Sequence, residues 1–416
     1  MHDTAPITTP PRQKPPLSPS GNPRYAELHR RYPSIDYLRR RAHRHIPRFA
    51  FEYADGGAGL GDAGIRRNWA ALDAVELVPR YGVMPSLPPC DVELFGRRYA
   101  APIGVAPMGG PAIIWPGGDV HLARAAQRAR IPYTLSTAGG ATIEQIAEVA
   151  PDVFWFQLYR LPGNDHAIGL DLLRRAHAAG CRTLVLTLDV PIRTTRPREA
   201  ATGIAGAFNV DLAILAQIAR APGWCASLWK YGVPRFANLR SYVGKQNASL
   251  NDVIAFAKRE LIGAFTWEEV QKYRDRWQGT MIVKGVLHPQ DAETAVSLGV
   301  DGIVVSNHGG RQVDALPAAI DALPAVVRQV GGRATVMMDS GVRSGSDVVR
   351  ACALGAAAAF AGKAFLWGLG ALGPRGPGHV IDLLIEETQA ALGQLGVHSV
   401  AELRSLTIRH PGALDL

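Results

Sequence analysis

A regular alternation of short apolar runs with helical segments constrains the fold of this chain more than any other feature. The runs are short, apolar and rich in β-branched residues, and each ends in a polar or glycine-bearing turn. The eight runs are PIGVAP (102–107), PYTLS (132–136), VFWFQ (153–157), TLVLTLD (183–189), TMIVKG (280–285), GIVVSN (302–307), ATVMMD (334–339) and AAAFAG (357–362). Strands that alternate with helices pair in parallel, and a count of eight favours closure. The sequence therefore predicts the α/β class and a (β/α)8 TIM barrel.

One long insertion breaks the alternation, between the fourth run and the fifth, over residues 200–265 approximately. An insertion of this length in a compact domain is usually functional or disordered. One helical face would be shared by Val210, Ile214, Leu215 and Ile218. The rings and cations that follow are Arg220, Trp224, Trp229, Lys230, Arg235, Phe236 and Arg240. Such a mixture suits the headgroup region of an anionic membrane, and a lid or subunit interface packed on the barrel is an equal alternative.

Composition and charge narrow the class of partner. The formal net charge of +9 favours acidic partners, namely anionic lipid, nucleic acid, or a carboxylate or phosphate ligand. Aromatic residues make up 7% of the chain and no nucleic-acid-binding signature is present, so no nucleic-acid partner is expected. The four cysteines form no CxxC pair, which predicts a reducing compartment and no metal site.

The ends of the chain and its hydropathy predict where it resides and how it is divided. Residues 1–22 are rich in Pro, Thr and Ser and predict a disordered arm, and residues 23–416 then form the barrel domain. Residues 29–48 are crowded with Arg and His, which we interpret as a solvated helix face. Neither a signal peptide nor a membrane-spanning run is apparent. We expect a cytoplasmic protein or one peripheral at the inner face of the cell membrane.

Polar side chains stand at nearly every predicted strand end. The carboxyl ends of strands build the active site in barrels of this kind. These residues are Ser136, Gln157, Tyr159, Thr187, Asp189, Lys284, Ser306, Asn307, His308 and Asp339. A lysine and a histidine among them favour a bound polar ligand.

The loops after the last two strands predict a phosphate site. DSGVRSG follows the seventh run and AGK follows the eighth. Glycine-rich loops at these two positions commonly bind phosphate through backbone N–H groups and a helix N-terminus. Arg343 and Lys363 would add positive charge. A phosphate-bearing cofactor in the barrel mouth follows from this arrangement.

The segment SNHGGRQ (306–312) carries the most specific chemistry. Its glycines admit the close approach of a flat ligand to His308. Arg311 lies three residues further on and offers a forked, bidentate grip to a carboxylate. A histidine that accepts a proton beside an arginine that holds a carboxylate is what oxidation next to a carboxylate requires.

Nine motifs occur in the order found in one enzyme family. They are FEYADGGA, APMGG, LSTA, WFQLY, LTLDVP, IVKGV, SNHGGRQ, DSGVRSG and AGK. With them the chain resembles the FMN-dependent 2-hydroxy acid dehydrogenases and oxidases from about residue 33 to its end. YGVPRFANL, FTWEEVQKYRDRW and IWPGGD resemble the membrane-associated branch, which holds (S)-mandelate dehydrogenase and flavin-linked L-lactate dehydrogenase.

The resemblance implies a role for each matching residue. It makes His308 the active-site base, Asp189 its partner, Arg311 and Arg196 the carboxylate grip, and Tyr53 and Tyr159 hydrogen-bond donors to the substrate. It places Lys284 at the N1–C2 edge of FMN and Ser136, Gln157 and Thr187 against the ring. It assigns the phosphate to Asp339, Arg343, Gly362 and Lys363. Further FMN contacts that it implies are Pro107, Met108, Gly109, Ser306 and Gly341.

Three positions depart from the family pattern. Lys363 replaces a usual arginine, which keeps the charge but loses the fork. Ser340 stands where glycine is common in the family, and we expect this substitution to have a mild effect. Ala138 replaces the large aromatic residue of glycolate oxidase and predicts a roomier pocket.

The function implied by the resemblance is oxidation of an (S)-2-hydroxy acid, lactate-like or mandelate-like, to the 2-oxo acid. Gly109 matches the dehydrogenases, which favours electron transfer to a membrane quinone or another acceptor. A soluble oxidase that uses O2 and makes H2O2 is the first alternative, and a non-catalytic, lipid-binding flavin-fold scaffold is the second. The family also implies a homo-oligomer, a tetramer.

Overall fold

The computed structural model describes residues 23–82, 87–192, 194–203, 211–244 and 249–416. The predicted disordered arm (1–22) and Val210 lie outside these residues. Twelve strands are found among them, and we number them β1 to β12 in chain order. Their bounds are Glu76–Val78, Val92–Leu94, Arg97–Tyr99, Ile103–Val105, Tyr133–Ser136, Phe154–Leu158, Thr183–Thr187, Thr280–Val286, Gly302–Val305, Thr335–Met338, Ala359–Ala361 and Thr407–Arg409.

The same residues form eighteen α-helices, α1 to α18. Their bounds are Pro23–Arg31, Ile35–His45, Arg48–Asp55, Ala63–Asp73, Pro111–Ile114, Gly118–Ala129, Ile143–Val149, Gly163–Ala178, Pro197–Ala200, Leu212–Ala219, Pro222–Tyr231, Leu250–Glu260, Trp267–Arg274, Pro289–Ser297, Ala319–Val330, Gly345–Ala353, Lys363–Leu372 and Gly376–Leu395. Short 3-10 turns occupy Leu60–Asp62, Arg240–Tyr242, His308–Gly310, Gly373–Arg375 and Ala401–Ser405.

Strands β4 to β11 close into one parallel barrel, which confirms the predicted architecture. Each of the eight apolar runs of the sequence coincides with one of these strands, and β6 and β8 extend one residue beyond their runs. Neighbours in the chain are neighbours in the barrel, and β11 pairs with β4 to complete the ring. Because all eight strands point the same way, their carboxyl ends meet at a single rim.

Barrel closure depends on a glycine where β4 meets β11. Gly104 is paired with Phe360 across this junction. A Cβ atom at Gly104 would lie 2.2 Å from Cε1 of Phe360, so the Phe360 ring occupies the space that a side chain would need. The ring packs at 5.4 Å from Trp155 of β6, which fills the interior with aromatic side chains.

The segment 29–48, predicted to form a solvated basic helix face, also has a buried apolar face. Helix α2 buries Ile35, Leu38 and Ala42, and its basic residues are either exposed or, like Arg39, partly buried. Arg39 forms an ion pair with the buried Asp55 at 2.6 Å. It packs closely against α17, since Gly370 leaves room for Ala42 at their crossing. The helix is thus an amphipathic element of the barrel shell.

The insertion between β7 and β8 contains helices α9 to α12 in its described part. Of the residues predicted to share one helical face, Ile214 is buried and Ile218 is partly buried. Leu215 is 50% exposed, so the buried stripe is narrower than the sequence pattern indicated. Trp224 is buried and donates its indole N–H to the carbonyl oxygen of Ile113, which ties the insertion to the loop after β4.

All four cysteines are free, in agreement with the absence of a disulfide pattern in the sequence. Among the described residues, no helix is both long and apolar enough to span a bilayer.

We expect Gly104→Ala to destabilise the protein by about 1–3 kcal/mol, because the new methyl group must displace the Phe360 ring. Chemical denaturation followed by circular dichroism measures the change. Gly378→Ala in α18 is the matched control, since its methyl group would meet nothing within 4 Å. If Gly104→Ala unfolds at the same denaturant concentration as the wild type, this account of the barrel interior is wrong.

Candidate active site

A single large cavity of about 1140 Å³ opens at the rim formed by the carboxyl ends of the barrel strands. Most residues predicted for the site line it. They are Tyr53, Pro107, Met108, Gly109, Tyr159, Arg196, Lys284, His308, Arg311, Asp339, Gly341, Arg343, Gly362 and Lys363. The cavity therefore brings together residues from both ends of the chain.

His308 and Asp189 form a partly buried pair at this rim. Nδ1 of His308 lies 3.0 Å from Oδ1 of Asp189. Burial lowers the pKa of His308 from its ordinary value of 6.5, although Asp189 acts in the opposite direction. Burial alone would raise the pKa of Asp189, but the nearby His308 and Lys284 bring it below its usual range. At neutral pH the pair is a neutral imidazole held by a carboxylate, which leaves Nε2 able to accept a proton.

The backbone at His308 is held in a strained conformation by Ser340. The φ angle of His308 is +59°, in the left-handed region that a residue with a side chain rarely adopts. The hydroxyl oxygen of Ser340 accepts from the N–H of Asn307 at 3.2 Å and from the N–H of Gly309 at 3.0 Å. These two residues flank His308, so one hydroxyl fixes the loop on both sides of it.

Lys284 has its charge balanced inside the barrel. Its Nζ donates to Ser306 at 2.9 Å and lies 3.1 Å from Oδ2 of Asp339. Burial alone would lower the pKa of Lys284, but Asp339 and Asp189 raise it above the usual value, so the ammonium stays charged. Ser306 also accepts from the N–H of His308 at 3.0 Å, which links the lysine to the histidine loop.

Two arginines and one glutamate form the opposite wall. Arg311 donates through Nη1 to the carbonyl oxygens of Tyr53 and Gly56, each at 2.9 Å, and through Nη2 to Oε1 of Glu199 at 2.6 Å. Arg196 donates through Nε to the carbonyl oxygen of Arg311 at 3.1 Å, and its Nη1 lies 3.5 Å from the same glutamate oxygen. Burial and the neighbouring Arg311 lower the pKa of Arg196.

Two tyrosines complete this part of the cavity. The Tyr53 hydroxyl donates to the carbonyl oxygen of Gly109, and the Arg311 guanidinium lies 5.1 Å from the Tyr53 ring centroid. Burial raises the pKa of Tyr159 to about 12. Burial raises the pKa of Tyr53 as well, so both phenols stay protonated at physiological pH.

Ser136, Gln157 and Thr187 lie at strand ends but are not among the residues that line the cavity. Ser136 donates to Oε1 of Gln157 at 2.8 Å. Nε2 of Gln157 and Oγ1 of Thr187 are buried and lack a hydrogen-bond partner within the described protein. Buried polar groups are rarely left unpaired, so these two atoms indicate a polar ligand at the strand ends.

The two predicted phosphate cations are both engaged with protein groups. Nζ of Lys363 donates to the carbonyl oxygens of Ala54, Asp55 and Gly56 at 2.8–3.0 Å. Arg343 contacts Asp73 at 2.6 Å and Asp347 at 3.2 Å. All three ammonium protons of Lys363 are thus donated to backbone oxygens, and its contact with a phosphate stays a prediction.

An apolar arm extends the cavity beneath the insertion. Its walls come from Trp224, Leu228, Phe236, Ile254 and Leu261 of the insertion, with Ile113 on the barrel side. Ala138 also lines the cavity and contributes only a methyl group there, as the roomier pocket predicted from the sequence requires. The arm offers space for an apolar group in the cavity that the arginine pair also lines.

Comparison with known proteins decides the family. Residues 42–410 match the model of the FMN-dependent dehydrogenases. The chain belongs to this family. FMN is therefore its cofactor and the protein is an FMN-dependent oxidoreductase, which confirms the family predicted from the nine motifs.

Relatives of similar length support this assignment. The L-lactate dehydrogenase of Ectopseudomonas mendocina (strain ymp) is 39% identical over 375 residues, which cover 89% of this chain and 97% of the relative. The L-lactate dehydrogenase of Alcaligenes faecalis is 38% identical over 382 residues, with coverages of 91% and 99%.

Solved structures in the family share the fold. A monotopic membrane protein, (S)-mandelate dehydrogenase, superposes with a TM-score of 0.85 at 32% identity and covers 91% of this chain and 99% of its own. A mandelate oxidase superposes with a TM-score of 0.77 at 34% identity, with coverages of 92% and 100%.

Sequence reasoning missed three residues of the site. Glu199 was not considered, although it is the acidic residue in the otherwise basic segment RPRE. Ser340 looked like a mild departure and instead holds the histidine loop. Asn68 and Asn307 exchange two amide hydrogen bonds of 2.9 and 2.7 Å, and nothing in the local sequence of Asn68 indicates this pairing.

We expect Ser340→Ala to slow flavin reduction by substrate about tenfold or more, because leaving two buried N–H groups unpaired costs about 1–3 kcal/mol and loosens the His308 loop. Stopped-flow absorbance under anaerobic conditions measures the rate. Thr142→Ala is the control, since it removes the hydroxyl that caps α7 away from the cavity. Unchanged reduction in Ser340→Ala would show that the hydroxyl does not position His308.

Proposed function

We propose that the protein oxidises an (S)-2-hydroxy acid with an apolar substituent to the 2-oxo acid. The observation that carries the proposal is the placement of the His308–Asp189 pair and the Arg196–Arg311 pair around one cavity. A base and a carboxylate grip close together are what this oxidation needs. The relatives named as lactate and mandelate enzymes support the same substrate class.

The residues of the cavity then take the following parts. Arg196 and Arg311 bind the substrate carboxylate, and Tyr159 donates a hydrogen bond to its oxygens. Tyr53 would do the same once its hydroxyl released the carbonyl oxygen of Gly109. Oxidation of the alcohol to the ketone releases two electrons and two protons. Nε2 of His308 takes one proton, and the second proton would pass with the two electrons to bound FMN. Asp189 stabilises the imidazolium that results. Lys284 supplies positive charge beside the group that is reduced.

FMN bound in the mouth would supply the two-electron acceptor. The unpaired atoms of Gln157 and Thr187, with Ser136 beside them, fit the polar edge of its ring. The remaining predicted contacts would hold its other edges and its phosphate. They are Pro107, Met108, Gly109, Lys284, Ser306, Asp339, Gly341, Arg343, Gly362 and Lys363. Among these, Lys363 would have to release at least one of its three carbonyl contacts to reach the phosphate.

The outer surface of the insertion supports contact with a membrane. Leu212 is 85% exposed and Trp229 is 92% exposed. Arg220, Lys230 and Arg235 are exposed in the same segment. Apolar and aromatic side chains among cations bind the interface of an anionic bilayer. We therefore propose a protein peripheral at the cytoplasmic face of the membrane that passes its electrons to a quinone there, as a homo-tetramer.

We expect His308→Ala to retain FMN and its yellow colour but to lose flavin reduction, because no other group in reach of the substrate replaces the base. Loss by a factor of about 10²–10⁴ is typical when a general base is removed. Anaerobic mixing with a panel of (S)-2-hydroxy acids, followed by flavin bleaching, measures it and also ranks the substrates. Reduction at the wild-type rate would overturn the assigned role of His308.

The same samples separate the dehydrogenase from the two alternatives. Air is admitted to the reduced wild type, and a quinone is added to a second portion. Rapid reoxidation by air would favour the oxidase, and rapid reoxidation by the quinone alone supports the proposal. A wild type that no hydroxy acid reduces, yet that binds vesicles, would favour the non-catalytic scaffold.

We expect Leu212→Ser to weaken binding to vesicles that contain an anionic lipid by about tenfold or more, since burying a leucine contributes about 1.5–3 kcal/mol. Vesicle sedimentation at two salt concentrations measures binding. Leu60→Ser is the matched control, because Leu60 is 87% exposed but lies outside the insertion. Equal binding by both variants would refute the insertion as the docking surface.

A further inference from the structure

We propose that Glu199 sets the net charge of the carboxylate site to a single positive charge and so selects substrates with one carboxylate over dicarboxylates. This inference rests on the proposed function of the cavity. It concerns a residue that neither the motifs nor the predicted roles include.

The position of Glu199 between the two arginines is the first observation. Its side chain is buried, with 6% of the residue exposed. A single carboxylate oxygen, Oε1, lies 2.6 Å from Nη2 of Arg311 and 3.5 Å from Nη1 of Arg196. Both arginines line the cavity, and so does Glu199. The glutamate is thus a fixed counterion that the two guanidinium groups share.

The charges of this wall do not balance without a ligand. Two guanidinium groups and one carboxylate leave one positive charge, which a substrate with one carboxylate would neutralise. Elsewhere in the mouth, Lys284 is paired with Asp339, and Lys363 donates its hydrogen bonds to three backbone carbonyl oxygens. Because buried charges are costly unless they are paired, one negative charge on the ligand would be matched by the excess charge of this wall and a second would not.

The donor groups that remain free lead to the same conclusion. Arg311 has five N–H hydrogens, of which two reach carbonyl oxygens and one reaches Glu199. Its Nε and one Nη2 hydrogen have no protein partner within the described chain. Nη2 of Arg196 is free in the same sense. These donors suffice for one carboxylate group.

The rest of the cavity offers no buried, unpaired cation to a second carboxylate of the substrate. The apolar arm presents Trp224, Leu228 and Phe236. Lys258 and Arg235 also line the cavity, but both are exposed, and solvent screens their charge. Arg160 lines it too, and its guanidinium is already paired with both oxygens of a glutamate at 2.8 Å. A second carboxylate on the substrate would therefore meet Glu199 or an apolar wall.

Two ligands of nearly the same shape test the inference without turnover. Oxamate carries one negative charge and oxalate carries two. Their dissociation constants for the oxidised, FMN-loaded protein are measured by calorimetry at one pH above 7. The quantity of interest is the ratio of the oxamate constant to the oxalate constant. Dissociation constants for 2-hydroxy acids are not needed.

We expect Glu199→Gln to raise this ratio about tenfold or more over the wild type, because a negative charge close to the ligand is removed from a poorly screened site. Glu199→Asp keeps the charge and changes the geometry, so its ratio should stay near that of the wild type. Glu199→Ala also removes the charge and should show the same rise in the ratio. It takes the place of Glu199→Gln if Glu199→Gln does not fold.

Glu52→Gln is the matched control for loss of a carboxylate nearby. Glu52 pairs with Arg198 at 2.6 Å and is not among the residues that line the cavity. Its substitution should leave the ratio unchanged. Equal weakening of both ligands by Glu199→Gln, or an equal rise of the ratio in Glu52→Gln, would overturn the inference. If neither the wild type nor the Glu199 variants bound oxamate or oxalate, the proposed carboxylate site itself would be wrong, and the inference would fall with it.

Discussion

The pairing of β11 with β4 is the constraint on which the rest of this molecule depends. It closes eight parallel strands into a ring, so side chains far apart in the chain arrive at one rim. Gly104 permits the closure because it leaves room for the Phe360 ring inside the barrel. The packing around this glycine therefore supports the barrel that brings the site residues together at its rim.

At that rim, each central basic side chain faces a carboxylate that fixes its direction. Asp189 holds His308, Asp339 holds Lys284, and Glu199 holds Arg311. The ion pairs of Lys284 and Arg311 contribute little net stability, because removing both charges from water costs about as much as their attraction returns. Their value lies in orientation. The imidazole, the ammonium and the guanidinium are in place before a ligand arrives, so little reorganisation is left for the binding step.

The insertion between β7 and β8 has one side that lines the cavity and another that faces outward. Its inner side, which includes Trp224 and Leu228, forms the apolar arm of the cavity. Its outer side exposes Leu212 and Trp229 among cations. A membrane bound to the outer side would lie close to the group that is reduced in the cavity. The same helices would therefore shape the substrate site and bring a lipid-dissolved acceptor within reach, which is the link between the two halves of the proposed function.

The sequence by itself determined the eight strands, the polar residues at their ends and the SNHGGRQ segment, because periodicity and turn residues are local properties of the chain. Only the tertiary structure decided the partners of those residues. Glu199 meets Arg311 across 112 positions of sequence, and Lys363 meets the carbonyl oxygen of Gly56 across 307. The role of Ser340 was not evident from the sequence, because it depends on the loops after β9 and β10, which meet at its hydroxyl. A hydrogen bond acts through space, so the atom that completes it is fixed only when the fold is complete.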